Sequence, residues 1–182
     1  MLAESPKPML ANELRPIGCD SWEKEPWDCY RSRLAVPDDP ALEQFYRQIP
    51  YDHFDHFNER YSNFELNDYK CSICEMTAVD ASSWVRYFGN CEMRQWCWQY
   101  DEFERTGSRY PIFREMSESG TAPFPPILID TSKLTDTNYV YGKPLHLIEG
   151  THRFSYLIRM LERDLISPES RHSFVVLEPR FP

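Results

Sequence analysis

Pro144-Leu145-His146-Leu147-Ile148-Glu149-Gly150-Thr151-His152-Arg153-Phe154 is the stretch on which the reading of this chain turns. Its first half alternates apolar and polar residues as a strand does. Its second half opens an apolar stripe at helical spacing: Phe154, Leu157, Ile158, Leu161 and Leu165. Gly150 stands between them. A strand that turns through glycine straight into a helix leaves the first backbone N–H groups of that helix unpaired, with the positive end of the helix dipole behind them. Anions bind at such turns. Gly150 permits close backbone approach, Thr151 offers a hydroxyl, and His152 and Arg153 add donors and charge where phosphate oxygens would lie. The plainer alternative has Thr151 capping the helix and Arg153, exposed at its start, in a surface ion pair.

On either side of this junction the pattern is regular. Pro125-Pro126-Ile127-Leu128-Ile129-Asp130 reads as a strand after a Gly/Pro entry, Ser167-Pro168 as the stop of the helix, and Ser173-Phe174-Val175-Val176-Leu177 as a last strand before Pro179. The order is strand, strand, helix, strand. Upstream, Met93, Trp96, Cys97, Tyr100 and Phe103 mark one apolar helical face closed by Thr106-Gly107-Ser108. Asp80-Ala-Ser-Ser-Trp84 starts an earlier helix that Gly89-Asn90 would end. Asp39-Pro40 opens a helix expected to stop before Pro50. From Tyr51 to Lys70 aromatics and acids alternate irregularly, which suggests short strands or loops. Residues 1–38 read as an extended arm pinned by Trp22 and Trp27, and residues 39–182 as a single domain. The fold class is α+β.

Residues 110–182, with Gly120 ahead of Pro-Pro-Ile127, a strand, a polar loop, Leu-Ile-Glu-Gly-Thr-His-Arg and a helix, resemble the ParB/sulfiredoxin superfamily. The resemblance implies a small mixed sheet with helices, and that Gly150, Thr151, His152 and Arg153 hold the phosphates of ATP or CTP, with Mg²⁺ screening them. It further implies Glu149 or Asp130 as the acidic base or metal ligand if the protein is an enzyme, a phosphotransferase or NTPase. Thr151 stands where sulfiredoxins carry their catalytic Cys, and a hydroxyl is no thiolate nucleophile at neutral pH, so sulfinic acid reduction is not expected. With the sequence ending at Pro182, the DNA-binding and dimerisation segments of partition proteins are not expected after the motif.

Composition sets the remaining bounds. Of the 182 residues, 27 are Phe, Tyr or Trp, so large rings should dominate the core. With 6 Gly against 15 Pro there is no G-x-x-x-x-G-K phosphate loop. The formal charge is −9, and all of the excess lies in residues 1–120, which hold 22 acids and 13 bases against 7 of each in residues 121–182. Generic nucleic-acid binding, membrane-surface binding and a ParB-type nuclease all fit this badly. A rival reading follows: an acidic interaction protein, such as a bacterial immunity protein or antitoxin, that uses the fold as a scaffold against a basic protein partner. No targeting sequence or long apolar run is present, so a cytoplasmic location with reduced thiols is expected. Cys71-x-x-Cys74 with Cys91 and Cys97 lacks a second zinc knuckle, and buried thiols are the default. His53-x-x-His56, between Asp52 and Asp55, reads as packed or hydrogen-bonded rather than metal-binding.

Overall fold

Glycine and proline punctuate the chain, and the elements between them follow from local chemistry. The computed structural model describes residues 12–18, 23–61, 64–88, 90–132, 134 and 142–180, the side chains of 90–92 excepted. The chain divides into two compact units, Met1–Tyr69 and Lys70–Pro182. The boundary expected at 38/39 falls between two helices of the first unit.

In the first unit, α1 (Trp27–Arg33) and a 3-10 turn at Asn12–Leu14 replace the extended arm expected there. Tyr30 anchors them: it is fully buried, and its hydroxyl donates to the Leu14 carbonyl at 2.7 Å. Trp27 packs against Tyr30 and Tyr51, while Trp22 lies outside the described residues. α2 (Pro40–Tyr46) starts as its sequence dictates, with the Asp39 carboxylate accepting from the Ala41 and Leu42 amides and Pro40 in the first turn. Its end corrects the expectation. The helical path continues through a π turn, Arg47–Tyr51, that contains Pro50, and passes into α3 (Asp52–Arg60). The proline can donate no hydrogen bond, and its ring would clash in a tight α turn; a widened turn accommodates it. Tyr51–Arg60 is therefore helical, not strand or loop. Phe54 and Phe57, three apart, form its buried face, and Phe57 joins Phe45, Tyr61 and Phe64 in an aromatic core.

The second unit is built on a mixed five-stranded sheet, which makes the protein α+β. β1 (Tyr69–Thr77) leads into α4 (Ala78–Trp84) and then β2 (Val85–Arg86). α4 starts earlier than expected because Thr77, not Asp80, is its cap: the Thr77 hydroxyl accepts from the Asp80 amide. It also ends earlier, since Val85 enters a strand before Gly89 is reached. α5 (Asn90–Thr106) closes as expected at Gly107 (φ 62°), where Ser108 N–H donates to Phe103 and Gly107 N–H to Glu104. α6 (Pro111–Ser119), β3 (Ile127–Asp130), β4 (Leu145–Glu149), α7 (Thr151–Glu162) and β5 (Arg171–Pro179) complete the unit. α7 stops at Glu162, before Ser167-Pro168, so Leu165 leaves the apolar stripe and is 48% exposed.

The strand order is β1-β5-β3-β4-β2, with β3 central, parallel to β5 and antiparallel to β4. Ile127, Leu128 and Ile129 have no solvent exposure, as an uninterrupted apolar run flanked by strands on both sides requires. α7 lays Phe154, Leu157 and Met160 into one core with Leu128, Leu147, Phe174 and Val176 of the sheet, Tyr100 of α5 and Phe113 and Met116 of α6. Each such side chain contributes roughly 1.5–3 kcal/mol through burial. Polar contacts fix the register of α7 on α5. Tyr156 donates to Gln99 at 2.6 Å, and Arg159 grips Asp101 in a two-toothed pair at 2.9 and 2.7 Å that holds the carboxyl below its ordinary pKa. No helix among the described residues is long and apolar enough to cross a membrane.

His146 sits fully buried in β4, its Nδ1 accepting from the Gly142 amide at 3.1 Å, and burial pushes its pKa from 6.5 down to about 4. The folded state keeps this imidazole neutral, whereas the unfolded chain protonates it below 6.5. Stability should therefore fall as pH drops from about 6.5 to 4 and level off below, by about 3 kcal/mol from this group. Denaturant melts across that range should show the slope, and His146→Asn, which keeps an acceptor without a titrating ring, should make it shallower, leaving the part due to the buried His172.

Candidate functional site

The junction ahead of α7 is shaped by a bulge and a left-handed glycine. Along the β3–β4 ladder Leu147 faces Leu128 and Glu149 faces Ile127, so Ile148 is an extra residue on β4. Such a bulge re-aims the side chain that follows it, here Glu149. Gly150 then adopts φ 93°, ψ 31° and precedes α7 with no side-chain cap. Thr151 is consequently the first residue of the helix rather than its cap, which corrects the plainer sequence reading. The Phe154 amide donates to the Gly150 carbonyl at 2.8 Å.

Arg153 does not project into solvent, as its place at a helix start suggested. It is 7% exposed and folds back over the turn. A Cβ on Gly150 would lie 2.8 Å from Arg153 Nη2, 3.1 Å from its Nε and 3.1 Å from Pro126 Cα. Glycine is thus required twice, for its positive φ and for the space its missing side chain leaves to the guanidinium. Arg153 Nη2 donates to Glu149 Oε1 at 3.4 Å, long for a charge-assisted bond, with both side chains largely buried. His152 stacks on Trp96 of α5 with ring centroids 3.8 Å apart, and Tyr110 and Tyr156 stand 6.3 and 6.1 Å away. Sequence reasoning placed Trp96 on a core-facing stripe. The stripe is real, and its outer end reaches the turn.

The fold brings Glu149, Gly150, Thr151, His152 and Arg153 together and leaves Asp130 out. Asp130 pairs with Leu145 and Glu149 with Ile127, three steps away on β3, so Asp130 lies about 10 Å along the ladder at strand rise. There Oδ1 accepts from the amide and hydroxyl of Ser132 at 2.9 and 2.6 Å.

The other sequence candidates separate. Cys71 and Cys74 both lie on β1, and residues three apart on a strand face opposite sides, so the C-x-x-C is no knuckle. Cys97 donates to the Ser155 carbonyl at 3.4 Å, and burial pushes its thiol up to about 11. His53 and His56 are exposed on α3. Cys19 and the Cys91 side chain lie outside the described residues. Among those described, no group of three or more His, Cys, Asp or Glu residues is set to hold a metal ion. Comparison with protein-family models, curated proteins and solved structures finds no match.

Gly150→Ala should destabilise the protein by about 2 kcal/mol from backbone strain alone. Displacement of Arg153 adds to that. A denaturation midpoint equal to that of the wild type would show the turn to be looser than this geometry.

Proposed function

We propose that the C-terminal unit binds a phosphorylated ligand, a nucleotide such as ATP or CTP with Mg²⁺ on its phosphate oxygens, at the Gly150 turn. One observation carries this reading. The start of α7 and a buried guanidinium converge on the same glycine, and the contact between that guanidinium and Glu149 is long, at 3.4 Å. A phosphate would give Arg153 shorter, paired hydrogen bonds than Glu149 does, while the first-turn amides would take its remaining oxygens. Glu149, displaced from the guanidinium, would then stand beside the phosphates as the candidate base or metal ligand for phosphoryl transfer. Asp130 is too distant to share that role. The resemblance to the ParB/sulfiredoxin superfamily supports the same assignment, and Thr151 keeps sulfinic acid reduction outside it.

The interaction-protein alternative rests on a different observation. Residues 1–69 carry 14 acids against 7 bases, residues 70–182 carry 15 against 13, and so −7 of the −9 belongs to the first unit. Such a surface favours a basic partner.

Thermal melts separate the two. ATP or CTP with Mg²⁺ should raise the melting temperature, a ligand at a hundredfold excess over its Kd adding about 2.7 kcal/mol. Arg153→Lys should remove most of the shift while the ligand-free protein stays folded, because a point charge replaces a planar fork. Arg153→Ala should also weaken the ligand-free protein, by about 3 kcal/mol, since it removes the charge that faces the largely buried Glu149. Thr151→Cys should bind as the wild type does. If neither nucleotide moves the wild-type melt, the turn is structural and the interaction reading takes its place.

A further inference from the structure

A second cluster of reactive side chains lies away from the Gly150 turn, where α6 ends and β5 begins. Gly120 (φ 74°) terminates α6, its amide donating to the Met116 carbonyl at 2.8 Å, and so delivers Thr121 to the start of β5. Ser167–Ser170 forms a turn closed by the Ser170 amide on the Ser167 carbonyl at 3.0 Å. His172 is the second residue of β5 and 4% exposed. Its Nε2 is 2.8 Å from Ser170 Oγ, and its Nδ1 is 3.2 Å from Thr121 Oγ1. A hydroxyl within reach of an imidazole whose other nitrogen is held by a third group is the arrangement that activates a serine nucleophile.

Ser170 also lines a cleft of about 510 Å³, within the range that takes small-molecule ligands. Tyr100, Met160, Leu165 and Ile166 supply its apolar lining, and Glu104 and Glu118 its acidic lining. Ser117 lines it as well, its hydroxyl 3.4 Å from the Tyr100 phenol.

We propose that Ser170 is the nucleophile of an acyl-transfer site, with His172 as its base and Thr121 as the residue that orients the imidazole. The substrate class is a carboxylic ester with an apolar acyl group and a neutral or cationic alcohol, because the two glutamates disfavour an anion. With the Nδ1 proton directed to Thr121 Oγ1, Nε2 accepts the Ser170 proton. In the other tautomer Ser170 donates to the Ser167 carbonyl at 2.7 Å and is at rest. Burial lowers the pKa of His172, which favours the neutral imidazole from which a base must start. As the Ser170 Oγ–acyl bond forms, the ester C–O bond breaks, and the proton on Nε2 passes to the departing alkoxide. Water then attacks the acyl-serine, His172 takes its proton and returns it to Ser170, and a carboxylic acid is released. A donor to the developing oxyanion would come from the hydroxyl residues that line the cleft, Tyr100 and Ser117 among them.

The test uses the whole chain, a fluorophosphonate label and p-nitrophenyl butyrate. The label should appear on Ser170 by tandem mass spectrometry, and only in the folded protein. Butyrate hydrolysis should fall about a hundredfold in Ser170→Ala. Thr121→Val should lower kcat with KM unchanged, and Thr121→Ser should restore it. An unlabelled Ser170 in folded wild-type protein, or equal hydrolysis by wild type and Ser170→Ala, would overturn the proposal and leave the Ser170–His172–Thr121 chain a clasp between α6 and β5. Labelling decides the matter even if Ser170→Ala does not fold.

Discussion

The guanidinium of Arg153 folded over Gly150 holds the end of β4 to the start of α7, and Pro126 at the entry to β3 closes on the same glycine. Glycine alone satisfies both the left-handed backbone and the close approach of the arginine. Because β4 pairs with the central strand and α7 carries the centre of the hydrophobic core, the geometry of this one turn sets how the helix lies on the sheet. α7 then has to present Phe154, Leu157 and Met160 to the sheet while Tyr156 and Arg159 reach Gln99 and Asp101 on α5. A turn of other geometry would rotate the whole stripe.

Burying an arginine is costly unless its charge is answered, and Glu149 answers it across one turn of chain. The bulge at Ile148 brings that carboxylate into place. The pair is at once a structural clasp and an unusually concentrated positive site, since the helix start adds to the guanidinium. Both properties come from the same atoms, so the anion affinity of the turn is bounded by how readily Glu149 yields its place.

Other buried polar groups of the second unit follow the same rule of satisfaction. His146 accepts from a backbone amide inside the sheet. Thr131, fully buried, donates toward the carbonyls of Gly142 and Pro144 and ties β3 to the approach of β4. His172 differs in that both its nitrogens meet side-chain hydroxyls, one of which opens onto a cleft. A backbone partner locks an imidazole in one tautomer. Hydroxyl partners, which donate and accept alike, leave it free to exchange a proton.

The sequence by itself determined the C-terminal elements, because there the cues are local: a hydrophobic period of two or near 3.6, Gly at the left-handed turns of Gly120 and Gly150, Pro or a polar turn at the ends. It determined equally that α2 begins at Asp39-Pro40 and that α5 closes at Gly107. It misread Pro50 and the aromatic run after Tyr51, because whether a proline widens a helix or ends it depends on the burial of Gln48, Ile49 and Pro50, which no local pattern expresses. It named Gly150–Arg153 as a unit but pointed Arg153 outward, since only the tertiary fold supplies the enclosed space and the carboxylate that make a buried arginine tolerable. Asp130 and Glu149 looked equivalent in the chain; strand pairing put them at opposite ends of one ladder. Ser170, His172 and Thr121 carried no sequence signal at all, because Thr121 is separated from the other two by β3, β4 and α7 and meets them only when α6 and β5 are brought side by side. Periodicity and turn chemistry act between neighbours and can be read along the chain, whereas burial and the convergence of distant side chains exist only once the chain is folded.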